Sequence, residues 1–312
     1  MTIKKKSTLD WGEGMPKTWL EAALSGPWTR KNQPRIPISV EEIVADGIAA
    51  AQEGAAIIHV HPYDPQTGRQ KDDADIYARI IEGIRAKVDV IVYPTLPSDP
   101  VAGSELSGVG AYRHAPVEEL ARRGLIEWSL VDPGSVNLCG YDEIARDTLG
   151  SVYLNVESDI RAGFGIAERH GLNPSCAIFE PGFIRLGAAL AARYPKLKTP
   201  TYRFMFSEGY TFGFPPKLYG LEAYLATLND HAPHAPWMVA GLRCNITPLI
   251  EHAVARGGHV RVGLEDMAYG CESSNAELVA GAAKEIQRAG GTLASAREIQ
   301  AVLAEADRAR HS

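Results

Sequence analysis

Eight apolar runs of strand type alternate with amphipathic helical segments along most of the 312 residues. The runs that we predict as strands are Trp19–Leu24, Ala55–Val60, Asp89–Tyr93, Ile126–Val131, Cys176–Phe179, Tyr202–Phe206, Trp237–Leu242 and His259–Leu264. The segments that we predict as helices are Val40–Glu53, Ala74–Lys87, Val117–Arg123, Glu157–His170, Ile184–Tyr194, Leu218–Asn229, Thr247–Arg256, Asn275–Ala289 and Ala296–Ala306. Eight consecutive βα units predict a (β/α)8 TIM barrel. An open doubly wound sheet shows the same alternation, but the number of units favours the barrel.

No Pro/Ser-rich linker, low-complexity tract or internal repeat interrupts this alternation. We therefore expect a single domain over residues 1–312, with an N-terminal extension at 1–18 and a C-terminal helix and tail at 296–312. Ser39, which precedes Val40-Glu41-Glu42, is the expected N-cap of the first helix.

Charge and hydropathy limit the kind of partner that this chain can bind. Its net charge of −6 argues against a nucleic-acid-binding protein, which needs a basic face for phosphates. No apolar run reaches the roughly 18 residues of a membrane span, and no apolar segment follows the N-terminal lysines, so we expect no membrane association and a cytoplasmic location. Four widely spaced cysteines without a CxxC pair predict free thiols.

Two histidines, His59 and His61, end the second predicted strand. The two-residue period of a strand places both imidazoles on one face. At the carboxyl end of a barrel strand, that face points toward the mouth where barrel enzymes have their active sites. Two imidazoles in this position predict half of a divalent metal site. The alternative is that one of them is an ordinary polar residue at a strand end.

The last predicted strand carries Arg261, Gly263 and Glu265 on one face and its apolar residues on the other. The eighth and second strands lie near one another in a barrel, so Glu265 can complete a site of two histidines and one carboxylate. We expect each imidazole to donate its second N–H to a carbonyl or carboxylate. Asp266, one residue further on, is then available as a base. The alternative is an internal salt bridge between Arg261 and Glu265 without a metal.

Both strings, together with PRIPISVEE (34–42), Gly134-Ser135-Val136-Asn137 and SNAELV (274–279), resemble the β-keto acid cleavage enzymes from about Trp19 to Ala301. Members of that family are oligomeric TIM barrels that condense a β-keto acid with acetyl-CoA and release acetoacetate and a new acyl-CoA. The resemblance implies a Zn²⁺, or another divalent metal, on His59, His61 and Glu265. It also implies a β-keto acid substrate, acetyl-CoA as co-substrate and a homo-oligomer, dimeric or tetrameric.

The same resemblance gives roles to further residues. Arg261 and Asp266 match the arginine and aspartate that work with the keto acid, and Asp266 is the implied base. Thr95 matches a catalytic serine or threonine position after the third strand, and Ser129 matches a second hydroxyl that contacts the substrate.

Three departures from the family pattern concern the substrate. Trp28 stands where members that bind amino substrates have a glutamate, and Tyr63 replaces the arginine of the usual HxHxRD. Ala177 replaces the second, catalytic glutamate of the fifth-strand pattern. The chain therefore resembles a divergent member. Trp28 and Tyr63 favour a keto acid whose far end is neutral, apolar or aromatic, and Ala177 leaves room for a bulky group.

Two other functions remain open from the residues alone. A metal-dependent hydrolase of the amidohydrolase type also has an HxH pair on a barrel strand, but it carries further histidines after the fifth and sixth strands, which are missing here. A barrel that holds a metal and binds a small acid without catalysis is the second alternative, with Ala177 as the sign of lost activity.

Overall fold

The computed structural model describes residues 16–96 and 113–311. Within this part of the chain, eight strands form one parallel sheet. They are β1 (Leu20–Ala23), β2 (Ile57–Val60), β5 (Ile91–Pro94), β6 (Trp128–Leu130), β9 (Asn173–Ile178), β10 (Thr201–Phe206), β11 (Trp237–Gly241) and β12 (His259–Val262). Their order in the sheet is β5-β2-β1-β12-β11-β10-β9-β6. The end strands β5 and β6 lie against each other, so the sheet curves into a nearly closed barrel. The predicted TIM barrel is confirmed.

Helices follow the barrel strands and pack outside them, as the alternation predicts. Capping residues define the ends of three of these helices. Ser39 caps the first helix and Ser274 caps a later one, each in a capping box, while Gly171 ends another in the left-handed conformation. None of the helices in the described ranges is long and apolar enough to cross a membrane. The helices are Val40–Gln52, Ala74–Arg85, Ala115–Arg122, Tyr141–Ala145, Glu157–His170, Pro181–Ala191, Leu218–His231, Thr247–Val254, Asn275–Arg288 and Ala296–His311.

Two short hairpins stand outside the barrel sheet and were not predicted. The first joins β3 (Tyr63–Asp64) to β4 (Arg69–Gln70) directly after the His61 loop. The second joins β7 (Val136–Leu138) to β8 (Ser151–Tyr153) after the fourth barrel strand. Most of the predicted N-terminal extension and the stretch 97–112 lie outside the described residues.

Strand register determines which side chains face the barrel interior. Glu21 pairs with Arg261, and His59 pairs with both Ala23 and Tyr93. The Tyr93 hydroxyl donates to Glu21 Oε1 over 2.6 Å, so these paired residues point inward. The interior of this barrel is therefore unusually polar for a layer that branched apolar residues normally fill.

Candidate metal centre and active site

One ligand atom each from His59, His61 and Glu265 lies within 4.8 Å of the other two. Glu265 Oε2 is 3.6 Å from His59 Nε2 and 3.4 Å from His61 Nε2. Bonds of about 2.0–2.2 Å to a tetrahedral Zn²⁺ would separate ligand atoms by about 3.3–3.6 Å. Both His61 Nε2 and Glu265 Oε2 are buried without a hydrogen-bond partner among the described residues. The three residues therefore fit a divalent metal.

The first hairpin orients His61. His61 Nδ1 lies 2.8 Å from Gln70 Oε1, which can only accept, so Nδ1 carries the proton and Nε2 keeps its lone pair. The Gln70 amide is held in turn, because its Nε2 donates to Asp72 at 2.8 and 3.0 Å. His59 differs, since its Nδ1 is buried without such a partner in the described chain. The expected hydrogen bond from the second ring nitrogen is thus present for His61 alone.

Glu265 reaches the histidines through a turn and not through a strand. β12 ends at Val262, two residues earlier than predicted, and Gly263 follows with φ +149. A β-carbon on Gly263 would lie 2.0 Å from the Ala23 carbonyl oxygen, so only glycine fits there. The backbone turns at this point, and the Glu265 N–H donates to the same Ala23 carbonyl. The prediction that Glu265 joins His59 and His61 at the mouth is correct, although the backbone path differs.

Arg261 forms the electrostatic centre of the site. Its Nη2 lies 2.7 Å from Glu265 Oε1 and 2.8 Å from Asp266 Oδ1, and its Nη1 lies 3.3 Å from Glu21 Oε1. The Arg261–Glu265 salt bridge, which the sequence left open as the alternative to a metal site, is therefore present. It uses one oxygen of Glu265 and leaves the other facing the histidines, so it does not compete with a metal.

Burial and the charge of Arg261 shift the pKa values of Glu265 and Asp266 in opposite directions. Burial would raise the pKa of Glu265, but Arg261, His59 and His61 hold that pKa well below its usual range. Burial raises the pKa of Asp266 to about 6, against the lowering effect of Arg261. Burial also holds the pKa of His59 well below its usual range. The site consequently combines an ionised carboxylate, a neutral imidazole and a second carboxylate whose pKa suits proton transfer near neutrality.

A family model described as beta-keto acid cleavage enzyme matches residues 17–304. The chain belongs to this family. It is 29% identical over 298 residues to the 3-keto-5-aminohexanoate cleavage enzyme of Fusobacterium nucleatum, with 91% of this chain and 98% of that protein covered. It is 26% identical to the 3-dehydrocarnitine:acetyl-CoA trimethylamine transferase of Rhizobium meliloti, with 85% of this chain and 88% of that protein covered.

Among solved structures, the ternary complex of ObcA with a C4-CoA adduct and oxalate superposes with a TM-score of 0.67. The match covers 87% of this chain and 68% of that one at 16% sequence identity, which shows the shared fold alone. Membership of the β-keto acid cleavage enzymes also argues against the amidohydrolase alternative. In agreement, neither β9 nor β10 contains or is directly followed by a histidine.

Trp28 and Tyr63 lie beside the cluster of His59, His61 and Glu265 and hold the loop after β1. The Trp28 indole N–H donates to the Glu265 carbonyl oxygen over 2.9 Å, and its ring meets the Tyr269 ring edge-on. The Tyr63 hydroxyl donates to the Gly26 carbonyl oxygen. Tyr63 is buried and so serves the loop, whereas Trp28 is only partly buried and can also meet a ligand.

Thr95 and Ser129 are placed differently from one another. Thr95 follows β5 on the same side as the inward Tyr93, and its N–H donates to the carbonyl of Val60, which lies between His59 and His61 in the sequence. Ser129 alternates with Trp128, whose ring contacts Tyr93 in the barrel interior. Ser129 therefore faces the surrounding helices, and the structure does not bring it to the site.

The sequence analysis did not identify several polar residues of the site. Glu21 could have been predicted, because a lone carboxylate in the apolar run LEAA needs a buried partner. Gln70 and Asp72 could not, because their contacts depend on a hairpin that the sequence pattern does not predict. Arg203 and Asp132 form a second polar cluster beside Ala177: the Ala177 N–H donates to Asp132 Oδ1 over 2.8 Å.

Proposed function

We propose that this protein condenses a β-keto acid with acetyl-CoA and releases acetoacetate and a new acyl-CoA, with Zn²⁺ or a similar divalent metal on His59, His61 and Glu265. The observation that carries the proposal is the pair of buried, unpartnered atoms His61 Nε2 and Glu265 Oε2, 3.4 Å apart, in a member of this family. We propose acetyl-CoA as the co-substrate because it is part of the name of the Rhizobium meliloti relative.

When bound, the metal supplies a Lewis-acid charge for the carbonyl and carboxylate oxygens of the keto acid. Asp266 takes the proton from the carbon between those two groups. Its pKa of about 6 leaves it ionised at neutral pH and able to return the proton later. Arg261 holds the Asp266 carboxylate through Nε and Nη2, which fixes the base in one orientation.

The bonds then change in two steps. The carbanion attacks the thioester carbon of acetyl-CoA and expels CoA as a thiolate. That thiolate attacks the original ketone carbon, the bond to the former α-carbon breaks, and the acyl-CoA leaves. The remaining acetoacetate carbanion recovers a proton from Asp266. Carbon, charge and protons balance without any oxidant or reductant.

Two measurements test this proposal. Elemental analysis of protein reloaded with zinc should find about one metal per chain, and His61→Ala should abolish tight binding. Metal-loaded protein, supplied with β-keto acids and acetyl-CoA, should release acetoacetate and a new acyl-CoA that mass spectrometry identifies. Absence of bound metal after reloading would contradict the proposed centre. Turnover of none of the keto acids would favour the non-catalytic or hydrolase alternative.

We also propose a homo-oligomer in the cytoplasm. The segment between β7 and β8 carries several exposed apolar side chains, and Leu149 among them is 93% exposed. Exposed apolar side chains grouped in one segment are typical of contact surfaces. Light scattering on purified protein should give a mass that is a multiple of one chain, and Leu149→Asp should reduce it.

A further inference from the structure

Two arginines lie inside the barrel, and their hydrogen bonding differs. Arg261 on β12 is 1% exposed and Arg203 on β10 is 2% exposed. All three nitrogens of the Arg261 guanidinium point at carboxylate oxygens, as described above. Arg261 therefore has little hydrogen-bonding capacity left for a ligand, and it acts as a positioning residue for Glu265 and Asp266.

Arg203 is only partly satisfied. Its Nε donates to Ser175 Oγ over 2.9 Å, but Nη2 makes no hydrogen bond with any described residue. Asp132 Oδ1 is 3.8 Å from Nη2, which is an electrostatic contact without a hydrogen bond. A buried donor of a charged group that lacks an acceptor costs about 1–3 kcal/mol or more, so the structure keeps it at a penalty.

Asp132 is held at this distance by two hydrogen bonds. Oδ1 accepts the Ala177 N–H over 2.8 Å, and Oδ2 accepts the Tyr153 hydroxyl over 2.7 Å. These bonds fix the carboxylate beside Arg203 as a counter-charge. Since no described residue accepts a hydrogen bond from Arg203 Nη2, the acceptor oxygen of a bound ligand can complete its hydrogen bonding.

Arg203 also lies near the proposed metal ligands. Its register partner on β9 is Ala177, whose small side chain leaves space next to the guanidinium. The pKa of His59 is lowered mainly by burial, and the charge of Arg203 contributes to the lowering. Tyr93, whose ring contacts His59, is within electrostatic range of Arg203 as well. The guanidinium therefore lies in the barrel interior, within electrostatic range of His59 and Tyr93.

We infer that Arg203 binds the carboxylate of the β-keto acid through Nη2, and that Asp132 and Ser175 position its guanidinium. This inference rests on the proposed function and adds the residue that recognises the acid. A hydrogen bond between guanidinium and carboxylate is charge-assisted and is therefore stronger than one between neutral groups. An ester of the same keto acid lacks the charge and gains much less from Arg203.

The test compares acetoacetate with its methyl ester as ligands of the zinc-loaded protein, in ligand-observed NMR titrations that need no turnover. Arg203→Gln should weaken acetoacetate binding about 10- to 100-fold and change ester binding less than about threefold. The ratio of the two affinities should therefore fall toward one. A variant that keeps the wild-type acid-to-ester ratio would overturn the inference.

Arg85→Gln is the matched control. Arg85 is partly buried on an outer helix, donates to the Leu125 carbonyl over 2.7 Å and pairs with Glu127. This variant should lose stability while its acid-to-ester ratio stays at the wild-type value. If Arg203→Gln does not fold, as judged by circular dichroism, Ser175→Ala replaces it. Removing the Nε acceptor should lower the ratio by a smaller factor, and an unchanged ratio would again overturn the inference.

The outcomes for the two proposals are separable. If wild-type protein turns over no keto acid but its preference for the acid depends on Arg203, the proposed reaction fails and the binding role stands. If turnover occurs and Arg203→Gln changes neither the KM for the keto acid nor the ratio, the binding role alone fails.

Discussion

Gly26 lies in close contact with the Glu265 side chain, since a β-carbon on Gly26 would lie 2.6 Å from Glu265 Cγ. Gly26 has φ +63 and belongs to the loop after β1, which Tyr63 and Trp28 also hold. The loop therefore forms one wall of the proposed metal centre. Its close approach limits where the Glu265 carboxylate can lie.

The first prediction concerns Gly26→Ala. The added methyl group should push Glu265 away from His59 and His61 and lower the affinity for zinc about 10- to 100-fold, as disturbed support of metal ligands commonly does. A competition titration against a chelating dye measures this affinity. Gly68→Ala is the control, since Gly68 has the same φ of +63 but no atom within 4 Å of a β-carbon. Equal zinc affinities of the two variants would contradict the prediction.

The second prediction concerns Gln70, which accepts from His61 Nδ1 at 2.8 Å. Gln70→Leu removes the acceptor that fixes the tautomer of His61, so zinc affinity should fall about 10-fold or more. Gln66→Leu, at an exposed position of the same hairpin, should leave it unchanged. Zinc affinity of Gln70→Leu at the level of the Gln66 variant would show that the hairpin does not orient the ligand.

The third prediction concerns the proposed base. Asp266→Asn should lower kcat on the order of 100-fold or more, because an amide cannot take the α-proton, while the zinc content stays near one per chain. His61→Ala should instead lose both zinc and activity. Steady-state kinetics and elemental analysis on the same samples separate the two effects. Near wild-type kcat in Asp266→Asn would exclude this residue as the base.

The sequence predicted the barrel and the proximity of His59, His61 and Glu265, because the barrel and the shared face of the two histidines depend on local patterns. His59 and His61 share a face by strand periodicity, and the eight strands are all found within about three residues of their predicted ends. The face of Ser129 was not predictable in the same way. Barrel strands are buried on both sides, so the run around Trp128 has no polar alternation that shows which residues point inward.

The polar contacts of the interior depend on pairs that are distant in sequence. Glu21 meets Arg261 across 240 residues, and Arg203 meets Asp132 only because β9 lies between their strands. Strand order and register decide these contacts, and neither is visible in the local pattern of one strand.

The fourth prediction concerns acid sensitivity. The His259 ring stacks on the Trp19 ring with centroids 3.9 Å apart, and His259 Nδ1 accepts a hydrogen bond from the backbone N–H of Trp19. Burial lowers the pKa of His259 from 6.5 to about 3. The unfolded chain therefore binds a proton at this site more readily than the folded one between pH 6.5 and 3. The contribution of His259 to the free energy of unfolding is therefore fully present above pH 6.5. Below that pH it falls by up to about 1.4 kcal/mol per pH unit.

Urea unfolding at several pH values between 7.5 and 5, with a chelator in every sample, measures this effect. His59 and His114 are also buried with lowered pKa, so they contribute to the total slope. His259→Gln isolates one residue, since its amide does not titrate. The free energy of unfolding of this variant should depend less steeply on pH, by close to one proton. Parallel curves for wild type and variant would contradict the lowered pKa.

The fifth prediction concerns the far end of the keto acid. Near the mouth, the Arg243 guanidinium lies 4.3 Å from the Tyr269 ring centroid, and the Trp28 and Tyr269 rings meet edge-on with centroids 5.1 Å apart. A substrate that reaches Trp28 therefore meets an aromatic surface with a cation behind it and, at position 28, no carboxylate. An ammonium group gains little there, whereas an apolar or aromatic group gains from burial against the indole.

β-Keto acids with amino, carboxylate, alkyl and aryl ends, each assayed with acetyl-CoA, should rank with the alkyl or aryl member highest in kcat/KM. Trp28→Ala, assayed at saturating zinc, should reduce that preference about 10-fold, because a large apolar contact is lost. Tyr219→Ala, which removes an exposed aromatic side chain packed against Phe214, serves as the control. The amino member as the best substrate would contradict the prediction. An alkyl or aryl preference that survives in Trp28→Ala would mean that the indole only packs against Tyr269 and the Glu265 carbonyl, and that another part of the mouth selects the substrate.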